Sequence, residues 1–225
     1  VSQTDLDICN LAIDRVSGDR IDSFGEDSPL GVFCADHYPH TRDVLMGKYR
    51  WTFLNMVRPL ARLALQPGDT GVMACKFAAP ADLIGAVHAF RDAADPQAAR
   101  LTPYVLLVDG FYWADDAPLF AEYTAAKPVT AWPTWFKELL VTAFAAKLAD
   151  HCQNGVLARR LEQTAWGLPG ENGEGGLYAQ ARNEDSRQAP QRTLNSVGGV
   201  DAGPLVGVRY GGGFSAFDRF GIGYG

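Results

Sequence analysis

Six prolines, Pro59, Pro67, Pro80, Pro96, Pro103 and Pro118, interrupt the stretch from Trp51 to about Pro128, and no other feature restricts the fold as much. Each lacks a backbone N–H and fixes φ, so no long helix fits between them. Short apolar or alternating runs lie there instead, as strands bounded by breakers do. The sharpest is Tyr104 to Val108, then Asp109-Gly110, then Phe111-Tyr112-Trp113, two β-prone runs joined by a dipeptide suited to a tight hairpin turn. Ala117 to Ala125, with Phe120 and Tyr123, reads as another strand. The region 51–128 is therefore expected to be an antiparallel sheet of about four or five strands set between helices.

Helical spacing governs both flanks. Thr4-Asp5-Leu6-Asp7 has the form of a capping box and opens a helix over 5–17, with Leu6, Cys9, Ala12, Ile13 and Val16 on one stripe and Ser17-Gly18 as its stop. Residues 19–33 read as a polar loop anchored by Ile21 and Phe24. A second helix is expected over 34–49, through Cys34, Tyr38, Leu45 and Tyr49, with Pro39 either in its first turn or kinking it. Arg50-Trp51-Thr52-Phe53 then alternates as a strand would, and Trp51 and Phe53 are the expected junction between helical and sheet layers.

Pro133 suits the first position of the longest helix, 133–152, whose apolar face carries Phe136, Leu139, Leu140, Ala143, Phe144 and Leu148. Asn154-Gly155 separates it from a helix over 156–166, and a glycine-rich breaker at 167–176 precedes a last helix over 177–187. The expected class is α+β: a helical bundle of about four helices with an inserted antiparallel β-region, making one domain over 1–187. Residues 188–225 differ. Ten of the last 28 residues are glycine, yet Tyr210, Phe214, Phe217, Phe220 and Tyr224 recur every three or four positions. Disordered tails seldom carry aromatics so densely, so this stretch is expected to be an extended arm that orders against another subunit or partner.

Motifs for chemistry are sparse. There is no Walker A loop, dinucleotide fingerprint, nucleophile elbow or H-E-x-x-H helix. His37 and His40, with Asp36 and Asp43, could be arranged around a metal, but exposed polar positions on a helix explain them better. Adjacent pairs such as Asp115-Asp116, or His151 beside Cys152, diverge in direction and make no catalytic couple. The cysteines Cys9, Cys34, Cys75 and Cys152 are scattered, which argues against zinc and for buried thiols acting as small hydrophobes, with a Cys9–Cys34 bridge between packed helices left open. No catalytic residue and no cofactor is expected.

The formal net charge of −6 and dispersed arginines argue against a nucleic-acid grip, while an acidic wall would let DNA pass without sticking. No apolar run reaches bilayer length. The opening VSQTDLDICN lacks the layout of a signal peptide and suggests an intracellular product that has lost its initiator methionine.

Taken in order, these segments resemble the head–tail adaptor (connector) proteins of tailed bacteriophages, the tail tubular protein A-like family. The opening Asn10-Leu11-Ala12 to Gly18 is similar to that family's N-x-A-x-x-x-(V/I)-G helix. Tyr38, Arg42, Leu45, Trp51 and Phe53 resemble its second helix and the W-x-F that ends it. Pro80-Ala81-Asp82-Leu83, Glu122-Tyr123-Thr124, the alanine-rich Phe144 to Ala149, and Leu177 to Ser186 follow in the family's order. The resemblance covers about residues 5–187; Pro39, the 167–176 loop and the aromatic–glycine terminus depart from it.

The resemblance implies a virion protein of the neck, made in the host cytoplasm and not an enzyme. Its subunits would form a ring, dodecameric in such families, beneath the portal protein, and would carry the tail or nozzle protein while DNA passes through the lumen. On that reading Tyr210, Phe214, Phe217, Phe220 and Tyr224 meet the portal or a neighbouring subunit. The competing readings are a stopper or tail terminator, an enzyme using His37, His40 and Asp43, and a regulatory module with the arm as a peptide ligand.

Overall fold

Thr4 starts the first helix as its sequence predicts. Its hydroxyl accepts the Asp7 N–H at 3.3 Å while the Asp7 carboxylate accepts the Thr4 N–H at 2.7 Å, the reciprocal pair of a capping box. Helix α1 is Asp5–Asp14, shorter than expected, because the amides of Val16, Ser17 and Gly18 all fold back onto the Ile13 carbonyl. The computed structural model describes residues 3–69, 73–94, 100–101, 105–115 and 118–188, all within one unit. The aromatic positions of the C-terminal arm lie outside the described residues.

Helix α2 spans Pro29–Lys48, so residues 29–33 are helix and not loop. Ser28 caps it, accepting the Gly31 N–H at 3.0 Å, and Pro29 occupies the first turn, where its missing N–H costs nothing. Pro39 lies inside the helix on its exposed side. The expected strand at Arg50–Phe53 is a turn: the amides of Leu54 and Asn55 both donate to the Trp51 carbonyl at 3.1 Å. Four alternating residues suit such a turn as well as a strand, since both can direct two aromatic rings the same way.

The strands are β1 (Asn55–Pro59), β2 (Arg62–Leu63), β3 (Cys75–Ala78), β4 (Leu83–Arg91), β5 (Arg100–Leu101), β6 (Leu106–Val108), β7 (Phe111–Ala114) and β8 (Phe120–Ala125). They form two small antiparallel sheets, where the sequence predicted one. The first has the order β1-β8-β4-β5 and the second β2-β3-β7-β6. Alternation reveals which side of a strand is buried but not which distant strand it joins, and β1 pairs with β8 through Asn55↔Thr124 across the whole insertion. The Asp109-Gly110 hairpin stands as predicted, both residues at positive φ. Cys75 and Phe77 of β3, Tyr112 and Ala114 of β7, and Ala121, Tyr123 and Ala125 of β8 share one buried cluster, so the two sheets pack face to face.

Helix α3 is Thr134–His151, with Pro133 as its N-cap. It is buried nearly all round and touches α1, α2, and the two helices that follow, α4 (Gly155–Trp166) and α5 (Gly176–Gln188). An apolar face wider than one stripe is what a central helix requires. The molecule is thus mixed α+β, with five α-helices and two small antiparallel sheets among the described residues. The tight turn into α5 depends on Gly176, which sits at φ +56° where a Cβ would meet the Thr164 carbonyl at 2.5 Å.

Candidate assembly surfaces

Trp51 and Phe53, expected between helical and sheet layers, pack within the helical core. Trp51 is fully buried, its indole N–H donating to the Leu45 carbonyl at 2.9 Å. Its ring meets Trp135 and Phe136 of α3 at 5.5 and 5.3 Å and Tyr178 of α5 at 6.1 Å, and Phe53 meets Phe136 at 5.0 Å. Edge-on aromatic contacts of this kind add to burial in fixing geometry. The turn that carries Trp51 therefore locks the end of α2 to the start of α3 and to α5.

Two buried acids hold this junction, and the sequence reading missed both. Asp185 of α5 is buried, and its carboxylate accepts the Thr52 N–H at 3.0 Å and the Thr52 hydroxyl at 2.8 Å. Glu122 of β8 is buried beside Arg91, whose guanidinium donates to it at 2.6 Å. Arg50 reaches the other Glu122 oxygen, which also accepts from Asn55 Nδ2 at 3.0 Å. Glu122 alternates with inward-facing Tyr123, and in the sequence that pattern marks a solvent-facing carboxylate. In the fold Arg91, Arg50 and Asn55 close around it instead. His88 lies at the rim, its Nε2 2.9 Å from Thr124 Oγ1; partial burial and the nearby Arg50 charge hold its pKa below the usual imidazole value.

A groove of about 540 Å³ runs between α2, α3 and α4. Leu45, Ala143, Ala146 and Ala158 form its floor, while Val44, Trp166 and the charged residues Lys147, Asp150, Arg159 and Glu162 line its walls. Small floor residues bring the helices close without filling the space above them. Within it Lys147 Nζ donates to the Thr41 hydroxyl at 3.0 Å.

His37, His40 and Asp43 do not come together as a site. The His37 ring packs at 4.3 Å from Phe33, Asp43 binds Arg42 at 2.8 Å, and all three are exposed. Among the described residues no group of three His, Cys, Asp or Glu side chains is placed to hold a metal. Cys9 and Cys34 are both free and buried; contact with Cys34, and then burial, push the Cys9 thiol up. Cys152 is exposed, contrary to the expectation that every thiol is buried, because it caps α3 where the chain turns toward α4.

No protein-family profile matches the chain, and no curated protein matches it either.

Proposed function

We propose that this chain is a structural subunit of a phage neck, a head-to-tail adaptor that assembles with copies of itself into a ring, dodecameric by family resemblance, beneath the portal protein. One observation carries the reading most: two helices, an inserted β-region, then three helices of which α3 is the central one, with the aromatic cluster around Trp51 at the first crossing. That mixed α+β order is compatible with the layout implied by the sequence resemblance, helices with an inserted antiparallel β-region. A side chain constellation suited to chemistry is not part of this role, and we read the protein as a non-enzyme working by assembly.

On this account the tail or nozzle protein seats on the ring and DNA moves through the lumen without specific contacts, helped by the chain's net charge of −6. The helical unit supplies a rigid body, and the arm carrying Tyr210, Phe214, Phe217, Phe220 and Tyr224 supplies attachment to the portal or a neighbour. Among the described residues no helix is long and apolar enough to cross a membrane. A stopper or tail terminator is the second reading, and the face-to-face pair of sheets favours it.

Removing residues 190–225 tests the role of the arm. The account expects a truncated chain that folds like the full one yet fails to enter particles. Normal incorporation of the truncated chain would refute the arm's part in attachment.

A further inference from the structure

We infer that the second sheet, β2-β3-β7-β6, is the seam by which successive copies join, with β6 of one copy pairing against β2 of the next. This rests on the ring reading above. Neither the outer edge of β2 nor that of β6 is paired with a strand among the described residues. Every junction within the sheet is antiparallel, so β6 runs opposite to β2. A second copy placed alongside in the same orientation therefore presents its β2 antiparallel to β6, and the alternation continues across the boundary. A sheet with an odd number of strands would have forced a parallel joint. The contact uses two different edges, which is the heterologous geometry that closes rings.

The first sheet has the same strand parity, and its β1 edge decides against it. Its β1 edge ends in Pro59 and exposes Arg58, which is bonded to Asp82 at 3.2 Å. Proline and charge are the usual guards of an edge that must stay single. The second sheet lacks such guards on β6, where Leu107 is 63% and Val108 38% exposed, and Leu65 just past β2 is 50% exposed. Three exposed apolar side chains thus stand at the two edges that would meet.

Charge fits the same arrangement. In an antiparallel joint the C-terminal end of β6 lies against the N-terminal end of the neighbour's β2. The first carries exposed Asp109 and the second begins with exposed Arg62. A carboxylate and a guanidinium then face each other across the seam, while the backbone ladder and the leucines hold it.

The test uses the full chain, its oligomer size read by mass photometry over a range of concentrations, with thermal denaturation to show that each variant is folded. Asp109→Arg and Arg62→Asp should each raise the concentration needed for assembly on the order of tenfold. The double reversal should restore assembly, and so should mixing the two single variants, because every joint in an alternating ring then pairs opposite charges. Leu107→Lys should block assembly. Rings that form equally well in all variants would overturn the seam and leave the ring standing. Loss of assembly in Leu107→Lys with Arg62→Asp unaffected would overturn the pairing of β6 with β2. A wild-type chain that stays monomeric throughout would overturn both readings.

Discussion

The Asp185 carboxylate, near the end of the last helix, accepts both the backbone N–H and the hydroxyl of Thr52, in the turn that joins the second helix to the first strand. More than a hundred residues separate the two in the chain. One buried carboxylate thereby closes the helical body against the root of the β-region. Removing it breaks both charge-assisted bonds; Thr52 itself is exposed and its donors can turn to water, so each loss is at most about 1.5–3 kcal/mol. Asp185→Ala should therefore lower unfolding free energy by about 2–4 kcal/mol in urea titrations. Thr52→Val, which keeps the N–H bond, should cost only about 1 kcal/mol.

Glu122 gives a larger effect. It is 3% exposed and Arg91 is 5% exposed, so water does not replace the bond between them when either is changed. Breaking a buried pair on one side costs roughly 3–5 kcal/mol. Glu122→Gln should show a loss of that order by chemical denaturation, and Arg58→Gln, at the exposed pair with Asp82, should change stability by less than about 1 kcal/mol.

Much of the helical scaffold was legible, for physical reasons that differ between elements. Around α3 the chain lies at the centre of the helical body, so its apolar face is broad and its length unmistakable. The start of α2 escaped because Ser28-Pro29 signals a turn and a helix start equally, and the choice depends on whether Gly31 can approach the Glu26 carbonyl, where an added Cβ would lie at 2.6 Å. The burial of Trp51 follows from its size, but the backbone of Trp51 and Phe53 is a turn where alternation suggests a strand, because four residues do not separate the two. The pairing of β1 with β8, and the enclosure of Glu122 and Asp185, depend on segments distant in sequence. Local patterns carry no signal for them.

Tyr123 provides a pH-dependent check. Burial, followed by a hydrogen bond to Asp82 at 2.7 Å, raises its phenol pKa to about 12. Its folded value lies above the unfolded value of about 10, so between the two the folded state holds more protons. The stability this neutral phenol contributes is complete below pH ~10 and is lost as pH rises toward the folded value. Burial also raises Tyr38, Tyr112 and Tyr178, so ultraviolet titration should show several tyrosines ionising late, and Tyr123→Phe should remove one of them and make the alkaline fall in stability shallower.

Thiol chemistry separates the cysteines. Cys9, Cys34 and Cys75 are buried and Cys152 is exposed, all four free. A thiol reagent should label Cys152 alone in the native chain and all four after unfolding. Rapid native labelling of Cys9 or Cys34 would show that the packing of α1 against α2 opens readily.

The most direct measurement for the central claim is the number of copies in purified particles, counted by quantitative mass spectrometry against the portal protein. The account predicts one copy for each portal subunit, and heads that stay tailless when the chain is withheld. Particles that contain no copies, or that attach tails normally in its absence, would contradict it.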